Sequence, residues 1–389
     1  MNYPGMFLNK TIERNSALVE TAIRFHQRGT LLPDTYVVDL DALLSNAALM
    51  KNVAEKNDIH LYFMLKQLGR NPAIARELMH LGFDGVVAVD FKEAMTMIDA
   101  GIKLGNVGHL VQLPKAALKT VLAARPEVVT VFSLEKAKEI SEVCRELNLE
   151  QKLLLRILDD SDFCYSGQYG GFSLEELPCA ITEMERLANV QIAGLTSFPC
   201  FSYQKLTQKI EPTPNVVTLQ KAEKLLKEKG VEIEQMNMPS ATCCASIPLI
   251  RQLGGTHGEP GHGLIGTTPL HEAVNCQEIP AMVYLTEVSH NFKGRAYCYG
   301  GGHYRRSHVE NALVGSLEQG RVLNVTPPTE ESIDYYFELG ESAQVSQSVV
   351  MAFRTQIFVT RSQVALVKGI SKGSPEIVGV YTALGKRLL

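Results

Sequence analysis

The stretch "HLYFMLKQLGR", residues 60–70, decides how the rest of the chain is read. Its first half is an unbroken apolar run that ends at Lys66. A short continuous apolar run suits a strand covered on both faces, as in a parallel sheet. Strand alternation puts Tyr62, Met64 and Lys66 on one face. In an eight-stranded α/β barrel the chemistry stands at the C-terminal ends of the strands. Lys66 is therefore expected at a catalytic mouth, and a lysine that merely snorkels to solvent is the alternative. A desolvated amine with a lowered pKa can form a Schiff base with a carbonyl.

Outward from this run, strand and helix patterns alternate. "TYVVDL" precedes "DALLSNAALMKNVAEKN", where Leu43, Ala47, Met50 and Ala54 share one helical face. After "HLYFMLK" come "GVVAVD", "VGHLVQ", "VVTVFS", "KLLLRILD", "QIAGLTSF" and "IEQMNMP", each followed by an amphipathic helix pattern. "HGEPGHGLIG" closes the series. The spacing predicts a (β/α)8 TIM barrel over residues 33–275, with "HLYFMLK" as its second strand. No GxGxxG follows the first strand, which disfavours a doubly wound sheet. From residue 276 to 389 the runs "AMVYLTEVSH", "GRAYCYGGG", "VVMAFRTQIFVT", "SQVALVKGI" and "PEIVGVYTAL" predict a mostly β C-terminal domain. Residues 1–32 read as an N-terminal extension, partly helical.

Bulk properties narrow the function. Of 389 residues, 45% are apolar and 21% charged, an ordinary globular composition. A net charge of −4 gives no footprint for nucleic acid or an anionic membrane, so neither is expected as a partner. No apolar run nears the roughly 18 residues that span a bilayer, and no secretory leader is visible at "MNYPGMFLNK". Eight scattered cysteines without CxxC spacing read as free thiols, and a cytoplasmic location is expected.

Two segments suggest an anion. The seventh helix-linked strand ends in "MPSATCC", where Ser240 and Thr242 offer hydroxyls beside an expected helix N-terminus. Strand 8 ends in "GEPGHGLIG", where Gly261 and Gly263 let backbone N–H groups approach a phosphate. A Schiff-base lysine together with a phosphate cradle on one barrel points to pyridoxal 5′-phosphate.

"TYVVDLDALLSNAAL" followed by "YFMLKQ" resembles the opening of the alanine racemase-like family of fold-type III pyridoxal-phosphate enzymes. The likeness covers about residues 33 to 270 and extends weakly into the β domain. It implies that Lys66 holds the cofactor. Where racemases of the family carry an arginine before "PG", this chain has Glu259, which resembles the ornithine and diaminopimelate decarboxylase branch and implies a carboxylate on the pyridine nitrogen. Phe198 stands where relatives have a histidine beside the cofactor. Tyr381 in "GVYTAL" resembles the branch's "GAYT", whose tyrosine reaches the phosphate, and His262 lies beside the phosphate loop. Tyr299 in "GRAYCYGGG" resembles the racemase tyrosine that enters the partner subunit's site as a second acid/base, and flexible glycines after it would let it reach across. The arginine of the racemase "GMNRLG" is missing from "DDSDFCYSGQYGGF". His303, His308 and Cys298 match no strong metal signature, so no metal is expected. The resemblance thus implies a homodimer with shared sites that acts on an amino acid or related amine. Lys66 and Tyr299 are its catalytic pair. Racemisation or epimerisation ranks first. Decarboxylation, D-amino-acid aldol cleavage or dehydration, and non-catalytic cofactor carriage are the alternatives.

Overall fold

The computed structural model describes residues 7–389, which divide into two compact units. The first is built from Leu49–Leu65 and Pro72–Gly261, the second from the chain up to Ala48, from Lys66–Asn71 and from His262–Leu389. The strands run in chain order β1 (Thr35–Asp39), β2 (His60–Met64), β3 (Gly85–Ala88), β4 (Leu104–Val107), β5 (Val128–Val131), β6 (Gln151–Arg156), β7 (Val190–Thr196), β8 (Phe201–Gln204), β9 (Lys209–Pro212), β10 (Gln235–Asn237) and β11 (His257–Gly258). They continue as β12 (Met282–Phe292), β13 (Arg295–Tyr299), β14 (Asn311–Val314), β15 (Arg321–Thr326), β16 (Tyr336–Leu339), β17 (Ser348–Met351), β18 (Gln363–Lys368) and β19 (Glu376–Thr382).

In the first unit, β10, β11, β2, β3, β4, β5, β6 and β7 close into a parallel barrel. Tyr62, Met64, Val87, Val89, Val128 and Leu154 pack together as a buried cluster on these strands. Fully burying side chains of this kind contributes about 1.5–3 kcal/mol each. Tyr62 carries the one polar tip of the cluster, and it is satisfied. Its hydroxyl donates to Glu127 at 2.7 Å and accepts from Gln235 at 2.9 Å. The intervening helices are stopped by local chemistry. Asp90 caps Phe91–Asp99 by accepting from Glu93 N–H at 2.8 Å, and Leu134–Leu147 starts at Ser133 and ends at Asn148 in the left-handed conformation.

The second unit holds a nine-stranded sheet in the order β13-β16-β15-β14-β17-β12-β1-β18-β19. The helix Phe7–Gln27 lies in its core: Phe7, Leu8, Leu18, Val19, Ala22, Ile23 and Phe25 join Val37, Val283, Leu285, Val350 and Ala365 in one apolar cluster. The helix is broken at Asn15, whose side chain instead donates to Asp39 at 3.1 Å and to Pro280 O at 3.0 Å.

One expectation about strand order is corrected. "TYVVD" does not open the barrel. As β1 it pairs antiparallel with β12 and parallel with β18 in the nine-stranded sheet. All five residues are buried, and such a run satisfies the interior of either sheet equally well. "HLYFM" is consequently the first barrel strand in chain order, and the count of eight is completed without β1.

Barrel closure also depends on Gly194, paired with Gln235 between β7 and β10. A Cβ there would stand 1.8 Å from the Gln235 carbonyl oxygen. The obstacle is backbone, so relief requires separating the strands. Gly194→Ala is expected to destabilise the fold by about 3 kcal/mol or more, measured by urea denaturation. Wild-type stability in that variant would refute the account.

Candidate active site

The barrel unit contributes a buried carboxylate. Glu259 directly follows β11 and is 4% exposed. Its Oε1 accepts from Asn237 Nδ2 at 2.6 Å and from Asn106 Nδ2 at 3.1 Å. Asn106 is held in turn by the Thr130 hydroxyl, which donates to its Oδ1 at 2.8 Å. The Glu259 N–H donates to Thr242 Oγ1 at 3.2 Å. His109 Nε2 stands 3.5 Å from Oε2, and its ring meets Phe198 edge-on at 5.6 Å. Buried ionised groups need such donors, because desolvation otherwise disfavours the charge. Here the Oε1 donors are neutral amides from β4 and β10.

Phe198 lies two residues past β7 and also touches Tyr165, ring centres 5.9 Å apart. Ser240 and Ala241 both adopt positive φ, 96° and 51°, after β10. Successive N–H groups in such a turn converge into an anion-binding concavity. The expected helix N-terminus at this point is absent. The next helix, Ile247–Gln252, begins after Ser246, because Cys243 N–H donates to the Ser246 hydroxyl at 2.9 Å and fills the intervening turn. The Ser240 hydroxyl donates to Phe201 O at 2.9 Å. Gly261 is buried at the end of this unit.

Lys66 belongs to the second unit. Lys66 opens a 3-10 turn, Lys66–Leu68, two residues beyond β2. The turn is anchored by Thr355, whose hydroxyl donates to Gln67 O at 3.0 Å, and by Arg70 stacked over Phe358 at 4.9 Å. His262 opens another 3-10 turn, with Nδ1 3.0 Å from Thr267 Oγ1 and Nε2 buried without a partner. Burial, then repulsion from Arg354, Lys66, His271 and Arg306, holds its imidazole well below the usual range, so the ring is neutral and the neighbourhood favours anions.

Tyr381 is 7% exposed on β19, with its ring folded over Gly379 of the same strand. Tyr299 ends β13, is 37% exposed and lies 6.0 Å from Tyr336. The glycines after it are packed, which corrects the expectation of flexibility. A Cβ on Gly301, at φ +127°, would meet Asp34 Oδ2 at 2.2 Å, and one on Gly302 would meet the Tyr284 ring at 2.3 Å. Tyr299 O accepts from the Thr286 hydroxyl at 2.7 Å. The segment is therefore a fixed platform for Tyr299, and its glycines serve close approach.

Sequence reading missed the Asn106–Asn237–Thr130 support, because isolated Asn and Thr on strands carry no motif. It also missed Asp34. That carboxyl accepts from the Tyr284 hydroxyl at 2.8 Å and from the Ser362 hydroxyl. Cys298 is buried, and burial pushes its thiol up to about 12. Among the described residues no group of three or more His, Cys, Asp or Glu is placed to hold a metal ion. No described helix is long and apolar enough to cross a membrane.

The alanine racemase N-terminal domain family model matches residues 38–269, and the YhfX-like C-terminal domain model matches residues 283–377. The uncharacterized protein YhfX of Escherichia coli K12 is 44% identical over 385 residues, covering 98% of this chain and 100% of that protein. Two solved structures share the fold. D-threo-3-hydroxyaspartate dehydratase from Delftia sp. HT23 matches with a TM-score of 0.67 and 17% identity over 90% of this chain and 97% of that one. Alanine racemase of Clostridium difficile 630, in complex with cycloserine, matches with a TM-score of 0.64 and 19% identity over 91% of this chain and 99% of that one.

Burial raises the Asp34 carboxyl to about 6, against the two hydroxyl donors and Arg361, which lower it. A raised carboxyl pKa favours the protonated folded form. Its stabilisation is complete below pH 4 and is lost as pH rises through 6. Relative to Asp34→Asn, the wild type should lose about 2–3 kcal/mol of stability between pH 4 and 7. Parallel denaturation curves of the two proteins across that range would refute the assignment.

Proposed function

Because this chain belongs to the alanine racemase N-terminal domain family, we propose that it is an enzyme dependent on pyridoxal 5′-phosphate, carried on Lys66, that works at the Cα of an amino acid or related amine. The observation that carries the reading is the pairing of two neighbouring barrel strands. β2 leads into Lys66, β11 leads into Glu259, the two strands pair in parallel, and Met64 N–H donates to Pro260 O at 2.9 Å. The donor set suits the cofactor. A buried carboxylate supported by neutral amides favours a protonated ring nitrogen as its partner, the left-handed Ser240–Ala241 turn suits a phosphate, and the cations around the neutral His262 suit an anion.

In this reading Lys66, Phe198, Ser240, Thr242, Glu259, Gly261, His262 and Tyr381 hold the cofactor. When bound, its protonated ring withdraws electrons from Cα and lowers the barrier to forming a carbanion there. Glu259 keeps the proton on the ring nitrogen. The Lys66 amine removes or returns the Cα proton on one face. Tyr299, fixed on its glycine platform and open to solvent, serves as acid/base for the other face in the partner subunit of a homodimer. Two acid/base groups make racemisation or epimerisation the first choice. Decarboxylation is the second reading, carried by Glu259. A cytoplasmic location belongs to the same proposal and is supported by eight free cysteines.

Borohydride reduction of the protein incubated with pyridoxal phosphate, followed by peptide mapping, is expected to label Lys66. A label elsewhere, or none, removes the reading.

A panel of amino acids in D2O, followed by NMR, separates the reactions: α-deuteration on both faces identifies a racemase, and loss of CO2 a decarboxylase. Glu259→Gln should slow either by about 100-fold or more while leaving the label on Lys66. Wild-type turnover in that variant would make Glu259 structural.

A further inference from the structure

Arg156 closes β6 and is 0% exposed. It stands two residues after Leu154, which belongs to the buried cluster on the barrel strands, so alternation turns its side chain toward the same face at the C-terminal end. Its Nη2 donates to Gln168 O at 2.7 Å, and its guanidinium lies 4.6 Å from the Phe132 ring centre. Its Nε and Nη1 have no hydrogen-bond partner. Burial lowers its pKa, and the Cys164 thiol, through its charge and a hydrogen bond, acts in the opposite direction. An arginine does not give up its proton in a protein, so this is a buried cation whose counter-group is a thiol rather than a carboxylate. Retaining an unpaired buried charge is costly to the fold.

The neighbours in register extend the pattern. Arg156 pairs with Thr196 of β7, and Thr196 with Asn237 of β10. Register partners in parallel strands present their side chains on the same face. Thr196 is 0% exposed and its Oγ1 has no partner. Asn237 uses Nδ2 on Glu259 and leaves Oδ1 unpartnered, as does Gln168 with Oε1. The row therefore offers guanidinium N–H groups and a hydroxyl, next to the residue that holds Glu259. Nε–H shares an edge with Nη2, so Nε–H together with the Nη2 proton not given to Gln168 O forms a planar fork that matches the two oxygens of a carboxylate, whereas the acceptor atoms of Asn237 and Gln168 would repel the further charged oxygens of a phosphate.

We propose that Arg156, assisted by Thr196, binds the carboxylate of the substrate and so selects amino acids over simple amines. This rests on the proposed action at an amino-acid Cα, and it assigns to a strand residue the role left open by the missing arginine of "DDSDFCYSGQYGGF".

The test uses the full chain, first without cofactor. Melting temperature is followed against acetate, with chloride replacing it at constant ionic strength. The wild type should show a saturable rise with acetate, Arg156→Met none, and Arg156→Lys at least a tenfold weaker response. Arg156→Met should itself melt no lower than wild type, because it removes an unpaired buried charge. With pyridoxal phosphate loaded, visible spectra are titrated with amino acids and with the amines that lack their carboxylate. The wild type should prefer the amino acid by about tenfold or more, and Arg156→Met should lose that preference. No acetate response in the wild type, an equal response to chloride, or an unchanged response in Arg156→Met overturns the proposal. An intact acetate response with no cofactor label on Lys66 would leave the carboxylate site standing and sink the wider reading. Labelled Lys66 with no role for Arg156 would do the reverse.

Discussion

A carboxylate buried in a parallel barrel needs hydrogen-bond donors in place of water, and Glu259 takes two from asparagine amides, with His109 Nε2 3.5 Å from its other oxygen. Asn237 ties it to the adjacent strand β10, and Asn106 reaches it from β4. Thr130 on β5 then fixes the Asn106 amide, so its N–H rather than its oxygen faces the carboxylate. Four barrel strands are thereby committed to one charged group. Because β11 is only two residues long, these side-chain bonds supplement a very short backbone ladder.

The same layer of the barrel contains side chains with surplus capacity. Arg156, Thr196 and Asn237 follow one another in register, and each has at least one buried polar atom without a protein partner. Such atoms are rare in folded proteins and concentrate where a ligand completes them. The lower barrel is different. There the Tyr62 hydroxyl is paired with Glu127 and with Gln235 Nε2, and burial is the chief cause that lowers the His257 imidazole to about 4.

In the nine-stranded unit, rigidity takes the place of reach. The glycines behind Tyr299 leave room for Asp34 and Tyr284, and Thr286 holds the tyrosine's carbonyl. A tyrosine placed on so closely packed a segment keeps its position without the entropy cost of ordering a loop. The cationic environment of His262 in the same unit has a similar economy, since one neutral ring packs among charges that favour an anion.

The chain's own order of residues determined a great deal. Strand-length apolar runs between amphipathic segments specified a parallel barrel. The alternating runs after residue 276 specified an antiparallel domain. Lys66 was legible because a charge that ends an apolar strand must stand where the strand meets solvent or a ligand, and Glu259 because of the "EPG" that carries it. Tertiary structure decided the rest. Thr35–Asp39 is buried throughout, and local pattern is identical for two sheets that both bury it, so only pairing with β12 and β18 could place it. Asn106, Asn237 and Arg156 look ordinary along the chain. Their meaning arises from the inward turn of each strand and from register across strands far apart in sequence, which no local propensity encodes.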